Sequence, residues 1–239
     1  MNKFSTLLLI VLSALCFQSC KKDAPSKTND NPDPNAIYLV NQITLSKYGY
    51  TEVYALSYDN KNRLIECKYK EDLRRLVWDR YEYTYDNANR MIKREYYDGN
   101  DKLINTVNYQ YTSAEAPKIG FVAVNDKGQI TGIGTDYLVK YDAQGHILFY
   151  GSSSLYQPGE DHGLVYDDKN NPFKNIVGVN SHFNNEIRAF PAITTNNLLN
   201  TFDYGLWSFI YNKANYPTKA SYTNRDGIEY IITYEYTIK

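Results

Sequence analysis

Two stretches of the chain repeat one pattern, SYDNKNRLIE at residues 57–66 and TYDNANRMIK at residues 84–93. Each reads Tyr-Asp, two variable residues, Asn-Arg and then two apolar positions. An Asp at the start of a turn accepts hydrogen bonds from backbone N–H groups further along the loop. An Asn tolerates the left-handed conformation that closes many short hairpins. The pattern therefore predicts two hairpin tips, each with a strand on either side.

Weaker copies of the pattern begin at Tyr97, Val124, Tyr141, Tyr166 and Tyr211, at irregular spacings. Irregular spacing argues against a solenoid with a fixed repeat length. The positions expected to adopt the left-handed conformation are Asn62, Asn89, Gly128, Gly145, Asn170 and Asn215. We therefore predict that the Asp and Asn residues of these copies build turns rather than an active site.

The segments between the turns alternate apolar and polar residues, as strands with one buried face do. In the C-terminal run, one face is expected to carry Ile228, Tyr230, Ile232, Tyr234 and Tyr236. Ile65, Cys67 and Tyr69 are expected to share a face in the same way. The 25 tyrosines of the chain suit such strands, because their flat rings fit a pleated, half-buried surface.

These patterns predict an all-β fold for residues 38–239, as a single domain. We expect an antiparallel β-meander of roughly 12–14 strands built from hairpins. So many twisted strands cannot stay flat, so the sheet should be strongly curled or a partly closed barrel. Residues 171–203 break the alternation and leave room for at most one short helix, which could plug the end of the curled sheet.

The N-terminus reads MNKFSTLLLIVLSALCFQSCKKD, with Lys3 ahead of an apolar run of signal-peptide length. Cys20 follows the small residue Ser19 and fits a lipobox better than Cys16 does. We predict a lipoprotein signal peptide over residues 1–19 and acylation of Cys20. The run SCKKD is similar to the signals of Bacteroidota lipoproteins. An ordinary secretory signal with an incidental cysteine is the alternative.

Residues 20–37 have no apolar period and are rich in Pro, Asn, Asp and Lys, which is typical of a disordered tether. The formal net charge of −1 provides no basic face, so nucleic acid is not an expected partner. We predict an outer membrane lipoprotein, held to the membrane by its lipid, on the periplasmic or the cell-surface face. Cys67 is expected to be a buried structural thiol.

The sequence shows no catalytic constellation. His146, His162 and His182 have no metal-ligand spacing, and His146 occupies the turn position of an Arg, so it should lie at the surface where a strand starts. Glu160 and Asp161, beside His162, are the acidic residues that the turn pattern explains least. We expect them to lie in a solvated loop rather than in a catalytic site. We predict no catalytic residue, no metal and no cofactor, and we leave the ligand-binding residues open.

The repeated motifs YDNKNRLIE and YDNANRMIK resemble YD repeats of rearrangement-hotspot shells and bacterial cell-surface proteins. Together with YDDKNNPFKNI and FIYNKANYPTKASY, they make most of residues 38–239 similar to a group of Bacteroidota lipoproteins of unknown function, described as having a porin-like fold. The resemblance implies an antiparallel meander, curled or partly barrel-like, on an anchored lipoprotein. It brings no catalytic or binding residues, and the chain is far too short to enclose a toxin as the shells do.

Three functions remain open from the sequence. The favoured one is a non-catalytic binding or scaffolding module of the cell envelope, for a glycan or a partner protein. The alternative is a polysaccharide-acting hydrolase that uses a pair of carboxylates, and a third is a partner protein of a secreted effector. Tyr230, Tyr234 and Tyr236 are expected to fill a one-sided core rather than to form a ligand platform.

Overall fold

The computed structural model describes residues 32–33, 35–71, 77–112, 121–125, 129–133, 137–152, 164–178, 196–201, 205–224 and 226–239. This part of the chain consists of β-strands joined by turns and contains no helix. The strands are β1 (Tyr38–Lys47), β2 (Tyr50–Tyr58), β3 (Leu64–Glu71), β4 (Asp79–Tyr85), β5 (Met91–Tyr97), β6 (Leu103–Asn108), β7 (Gln110–Thr112), β8 (Phe121–Val124), β9 (Ile130–Ile133), β10 (Tyr137–Tyr141), β11 (Ile147–Ser152), β12 (Val165–Tyr166), β13 (Leu198–Thr201), β14 (Gly205–Leu206), β15 (Ser208–Tyr211), β16 (Pro217–Thr223) and β17 (Glu229–Ile238). The all-β prediction is confirmed, although the described residues form 17 strands where roughly 12–14 were expected.

The strands form three sheets, of which the largest has the order β15-β16-β17-β1-β2-β3-β4-β5-β6. A five-stranded sheet has the order β11-β10-β9-β8-β7 and a three-stranded sheet the order β12-β13-β14. The strand pairs are antiparallel apart from β7 with β8. The predicted antiparallel meander is therefore confirmed, with a nine-stranded sheet that is open, since its described strands end at β15 and β6. The first and last described strands, β1 and β17, pair with each other within this sheet.

The repeated motif forms the predicted turn, and the side chain of its Asp closes it. The Oδ1 atom of Asp59 accepts hydrogen bonds from the backbone N–H groups of Lys61 and Arg63, both at 2.9 Å. The guanidinium of Arg63 reaches the other carboxylate oxygen at 2.7 Å. Asn62 has a φ of 61° and is the left-handed residue of the turn. Burial alone would raise the pKa of Asp59, but the hydrogen bonds from Arg63 lower it.

The same bonding recurs at the other turns. Asp86 accepts from Ala88 and Arg90, and Asn212 accepts from Ala214 and Tyr216. Left-handed residues occur at the corresponding positions Asn89, Asp101, Gly145, Asn215 and Gly227. Gly128 lies outside the described residues. The sequence interpretation missed Asp101 and also missed the turn that ends at Ile228, whose N–H bonds the side chain of Asn224.

A β-bulge follows most of these turns. Its extra residue changes the pairing register by one, which changes the face of the sheet on which the neighbouring side chains lie. Tyr58 pairs with Leu64 and Ser57 pairs with Glu66, so Ile65 is the extra residue. The prediction that Ile65 shares a face with Cys67 is therefore wrong: Ile65 is 39% exposed, whereas Cys67 is fully buried. Equivalent shifts occur after the turns at 86–90, 98–102, 142–146 and 212–216.

Tyrosines link each turn to the next one along the sheet. The hydroxyl of Tyr85 donates to the carbonyl oxygen of Leu64 at 2.7 Å, and the guanidinium of Arg63 lies 5.1 Å from the centre of the Tyr85 ring. Tyr111 repeats this arrangement on Met91 and Arg90. A ring thus fills the apolar core while its hydroxyl satisfies a backbone carbonyl, which gives many of the tyrosines a structural role.

The copy at Tyr166 differs, because its turn is interrupted by an insertion. Asp167 accepts hydrogen bonds from the backbone N–H of Lys169 and of Asn197, both at 3.0 Å. The Nδ2 group of Asn197 donates to the second carboxylate oxygen at 3.0 Å, as the Arg does in the intact turns. The prediction that Asn170 completes this turn is wrong: Asn170 does not have a positive φ, and its N–H bonds the carbonyl of Asn215.

Residues 171–178, which we call the strap, run across the ends of the large sheet. The side-chain Nδ2 group of Asn175 donates to the carbonyl oxygen of Tyr38 at 3.0 Å. The backbone N–H of Val177 donates to the carbonyl oxygen of Asn62, also at 3.0 Å. Phe173 and Ile176 are buried in the core. The helix that could have plugged the end of the sheet is absent from the described part of residues 171–203, which forms turns and short strands. The strap lies across the strand ends instead.

Candidate ligand-binding rim

Most sequence-predicted sites fall outside the described residues. Cys20, His162, His182 and the acids Glu160 and Asp161 all lie there, so the structure neither supports nor contradicts their interpretation. The described segments contain no group of three or more His, Cys, Asp or Glu residues placed to hold a metal ion. None of these segments forms a helix of the length and hydrophobicity needed to cross a membrane.

His146 has a structural role in its turn. Its Nδ1 atom lies 2.9 Å from the Asp142 carboxylate and its Nε2 atom lies 3.0 Å from Oδ1 of Asn196. The imidazole stacks on the Tyr166 ring at 4.8 Å. Burial would raise the pKa of Asp142, but the hydrogen bonds from His146 lower it. The sequence interpretation placed the residue correctly at a strand start, but His146 is half-buried rather than a simple surface residue.

Two acidic side chains are buried on the core-facing side of the large sheet, Glu52 and Asp79. Glu52 forms an ion pair with Lys47 at 2.7 Å and accepts a hydrogen bond from the Tyr54 hydroxyl at 2.8 Å. Burial, and then the neighbouring Glu52 carboxylate, raise the pKa of Tyr54. A buried carboxylate with both partners in place is electrostatically satisfied.

A row of large side chains crosses the same face next to Glu52. Tyr50, Lys47, Tyr230 and Tyr222 lie directly opposite one another on β2, β1, β17 and β16. The rings of Tyr222 and Tyr230 stack at 4.6 Å with an interplanar angle of 16°. Trp207 continues the row, 4.2 Å from Tyr222. The rings of Tyr230, Tyr222 and Trp207 thus form an aromatic series that runs across β17 and β16.

The tip of the β1–β2 hairpin contributes a strained aromatic residue. Tyr48 and Gly49 both have positive φ, 51° and 76°, as a type I′ turn requires. Asn-Gly is the favoured pair in such turns, whereas a bulky residue with positive φ is an outlier. Tyr48 is nevertheless 57% exposed, and Tyr50 is 55% exposed. Strain of this kind at an exposed aromatic residue points to function rather than to stability.

We call Lys47, Tyr48, Tyr50, Tyr222 and Tyr230 the tyrosine rim. Tyr48 meets Tyr230 edge to face at 6.1 Å and 76°. The hydrogen bond with Tyr230 is the largest of the effects that raise the pKa of Tyr48. The Asp226 carboxylate acts on the pKa of Tyr48 in the same direction, so the turn at 224–228 borders the rim.

The rim was not identified from the sequence. Tyr234 and Tyr236 are core residues as predicted, since Tyr234 is buried and the Tyr236 hydroxyl donates to the Pro217 carbonyl at 2.8 Å. Tyr230, assigned to the same core, packs against it as predicted and also forms part of the rim. The sequence feature that could have indicated the rim is the pair Tyr48-Gly49, because a tyrosine at the first position of such a turn is less stable than an asparagine.

The rim and the strap lie at opposite ends of β1. The strap contacts Tyr38 at the first residue of the strand, and the rim contains its last residue, Lys47. A strand of 10 residues spans about 33 Å. The rim and the strap are therefore separated by the length of β1.

The chain matches no protein-family model, and no curated protein is significantly similar to it in sequence. Among solved structures, it is similar to the crystal structure of a porin-like protein from Bacteroides uniformis, with a TM-score of 0.43 and 9% sequence identity. The match covers 84% of this chain and 98% of that chain. A similarity this distant transfers neither a site nor an activity.

Proposed function

We propose that the protein is a lipid-anchored, non-catalytic binding or scaffolding module of the cell envelope that holds its ligand at the tyrosine rim. The observation that carries the proposal is Tyr48, an exposed aromatic residue in a left-handed conformation that Asn would adopt with less strain. Tyr50 supplies a second exposed ring on the neighbouring strand. Aromatic residues with accessible faces are the usual anchors of binding surfaces.

The position of the rim suits an anchored protein. The proposed tether ends where β1 begins, and Ile37 pairs there with Lys239 through hydrogen bonds of 3.0 Å in both directions. The rim lies at the other end of β1. The rim is thus separated by the length of β1, about 30 Å, from the residues that follow the proposed tether.

Replacing Tyr48 with Asn should separate binding from stability. The variant Tyr48→Asn creates the favoured Asn-Gly turn and should raise the free energy of unfolding by about 1 kcal/mol. It should also reduce retention of envelope glycan and envelope protein fractions by about tenfold or more, because one exposed ring is lost. Chemical denaturation and pull-down from fractionated envelope measure the two effects.

The matched control is Ile210→Ala, which removes an equally exposed apolar side chain from the edge strand β15. It should leave retention unchanged. Equal retention by the wild type and Tyr48→Asn would contradict the proposed site. A wild-type protein that retains neither fraction would contradict the proposed binding function.

Lipidation at Cys20 is tested separately from the rim. The variant Cys20→Ala should move the protein from the membrane fraction to the soluble fraction, because one acyl-modified cysteine is the whole anchor in this proposal. Fractionation followed by immunoblotting measures the shift, and Cys16→Ala is the matched control that should stay membrane-bound. Membrane retention of Cys20→Ala would overturn the assignment of the anchor.

A hydrolase is the second candidate function, and one observation favours it. Glu52 and Asp79 are the buried acids of the described residues, and the register places them on one face, two strands apart. Their positions are roughly 10 Å apart across the sheet and roughly 7 Å apart along it, about 12 Å between Cα atoms. The two carboxyl groups would therefore have to lean toward each other to reach the separation of inverting glycosidases, about 6.5–9.5 Å. Release of reducing ends from a polysaccharide, lost in both Glu52→Gln and Asp79→Asn, would support this candidate over a binding module.

A further inference from the structure

We propose that the ligand of the tyrosine rim is an uncharged glycan chain, which lays the C–H face of a sugar ring on Tyr48 and Tyr50. This inference rests on the proposed binding function and specifies its ligand. Three properties of the rim carry it: the shape of its aromatic surface, its charge, and the hydrogen-bonding character of its polar groups.

The aromatic surface is a platform and not a cage. Tyr222 covers one face of Tyr230 in a nearly parallel stack, and Tyr48 contacts Tyr230 with its planes far from parallel. The exposed ring surface therefore belongs mainly to Tyr48 and Tyr50. A cationic ligand is best held where several ring faces converge on one point. A flat sugar ring needs a single open face, which each of these two residues offers.

The charges of the rim are balanced and therefore disfavour an anionic ligand. The Lys47 ammonium is 2.7 Å from the Glu52 carboxylate, so its positive charge is already paired. The charged group that acts on Tyr48 from the bordering turn is the exposed carboxylate of Asp226. An acidic sugar would meet this carboxylate without a free cation in the described rim to offset the repulsion. Uncharged sugars avoid that repulsion.

The polar groups of the rim are tyrosine hydroxyls, each able to donate and to accept one or more hydrogen bonds. Sugar hydroxyls have the same dual capacity. The Tyr48 and Tyr230 rings meet edge to face, 6.1 Å between their centroids, so both side chains lie at the same edge of the platform. A sugar stacked on Tyr48 could therefore exchange hydrogen bonds with two neighbouring hydroxyls.

The test is isothermal titration calorimetry of the purified full-length lipoprotein in detergent with four hexasaccharides. Cellohexaose and maltohexaose are the uncharged probes, hexagalacturonate is the anionic probe, and a chitosan hexamer is the cationic probe. We expect at least one uncharged probe to bind with an affinity that is insensitive to salt. Tyr48→Asn and Tyr50→Ala should each weaken that affinity by about tenfold, and Ile210→Ala should not.

The outcomes separate this inference from the proposed function. If only a charged probe binds, or salt abolishes the binding, the uncharged-glycan inference is overturned while the rim remains a binding site. If no probe binds but Tyr48→Asn still loses retention of the envelope fractions, the uncharged-glycan inference is likewise overturned and the rim remains a binding site. If an uncharged probe binds equally to wild type, Tyr48→Asn and Tyr50→Ala, the assignment to the rim is overturned.

Discussion

Raising the pH above about 10 is expected to unfold the protein in one steep, cooperative step. Burial is the first cause that raises the pKa of Tyr54, Tyr58, Tyr234 and Tyr236 above the ordinary value of 10.0. The folded state therefore keeps these phenols neutral while the unfolded chain loses their protons, so stability is complete below pH 10 and falls above it. Each phenol contributes about 1.4 kcal/mol per pH unit. Four together remove a typical stability of 5–15 kcal/mol within about two units.

The measurement is a pH titration followed by phenolate absorbance and far-ultraviolet circular dichroism. Exposed tyrosine rings should form phenolates first with the sheet intact. A later, steep rise in phenolate absorbance should coincide with the loss of the circular dichroism signal, because the four buried rings ionise only when the sheet opens. Tyr234→Phe is the matched variant: its hydroxyl is buried and has no hydrogen-bond partner within the described structure, so its removal should not destabilise the protein at neutral pH. It should make the alkaline transition shallower by one proton. Complete ionisation of the tyrosines with the circular dichroism signal unchanged would contradict the prediction.

Replacing Gly178 with Ala should destabilise the protein by roughly 3–4 kcal/mol. Gly178 ends the strap with a φ of 78°, and an added Cβ would lie 2.5 Å from the Asn89 carbonyl oxygen and 2.6 Å from the Tyr85 ring. The methyl group would add a collision with backbone to the ordinary strain of a left-handed alanine. The strap would have to lift from the turn at 86–90. Chemical denaturation of the wild type and the variant measures the difference.

Gly227 provides a closely matched control. It has the same φ of 78°, but an added Cβ would meet no atom within 4 Å. Gly227→Ala should therefore cost about 1 kcal/mol, the strain of the conformation alone. Equal losses in the two variants would show that the close approach of the strap to Asn89 and Tyr85 does not contribute to stability.

The turns could be predicted from the sequence because each is decided locally. Asp59 bonds residues two and four positions ahead, and no distant group takes part in those bonds. The interrupted turn could not be predicted in this way. Asp167 is followed by Asn170 and Asn171, which fit the local pattern, but it bonds Asn197 instead. Only the burial of Phe173 and its neighbours in the core favours the longer connection.

The rim could not be predicted as a whole because its two parts are distant in the sequence. Lys47 and Tyr50 face each other in the β1–β2 hairpin, but they meet Tyr230 only because β1 pairs with β17. Tyrosine is also the commonest structural residue of this fold, so a functional tyrosine has the same sequence context as a core one. The turn residue Tyr48 was the one departure from turn chemistry, and its exposure became evident only in the folded chain.

Strand β1 connects the end of the proposed tether to the proposed binding site without any intervening loop. If the ligand holds Tyr48 and the tether pulls at Tyr38, both forces act on the two ends of a single extended strand. A strand that already rises about 3.3 Å per residue is nearly fully extended, so it can lengthen very little under force. The tension would pass along covalent bonds, and the hydrogen bonds of the sheet would carry little of it. The protein would then bear a mechanical load as a short, stiff link, without unfolding.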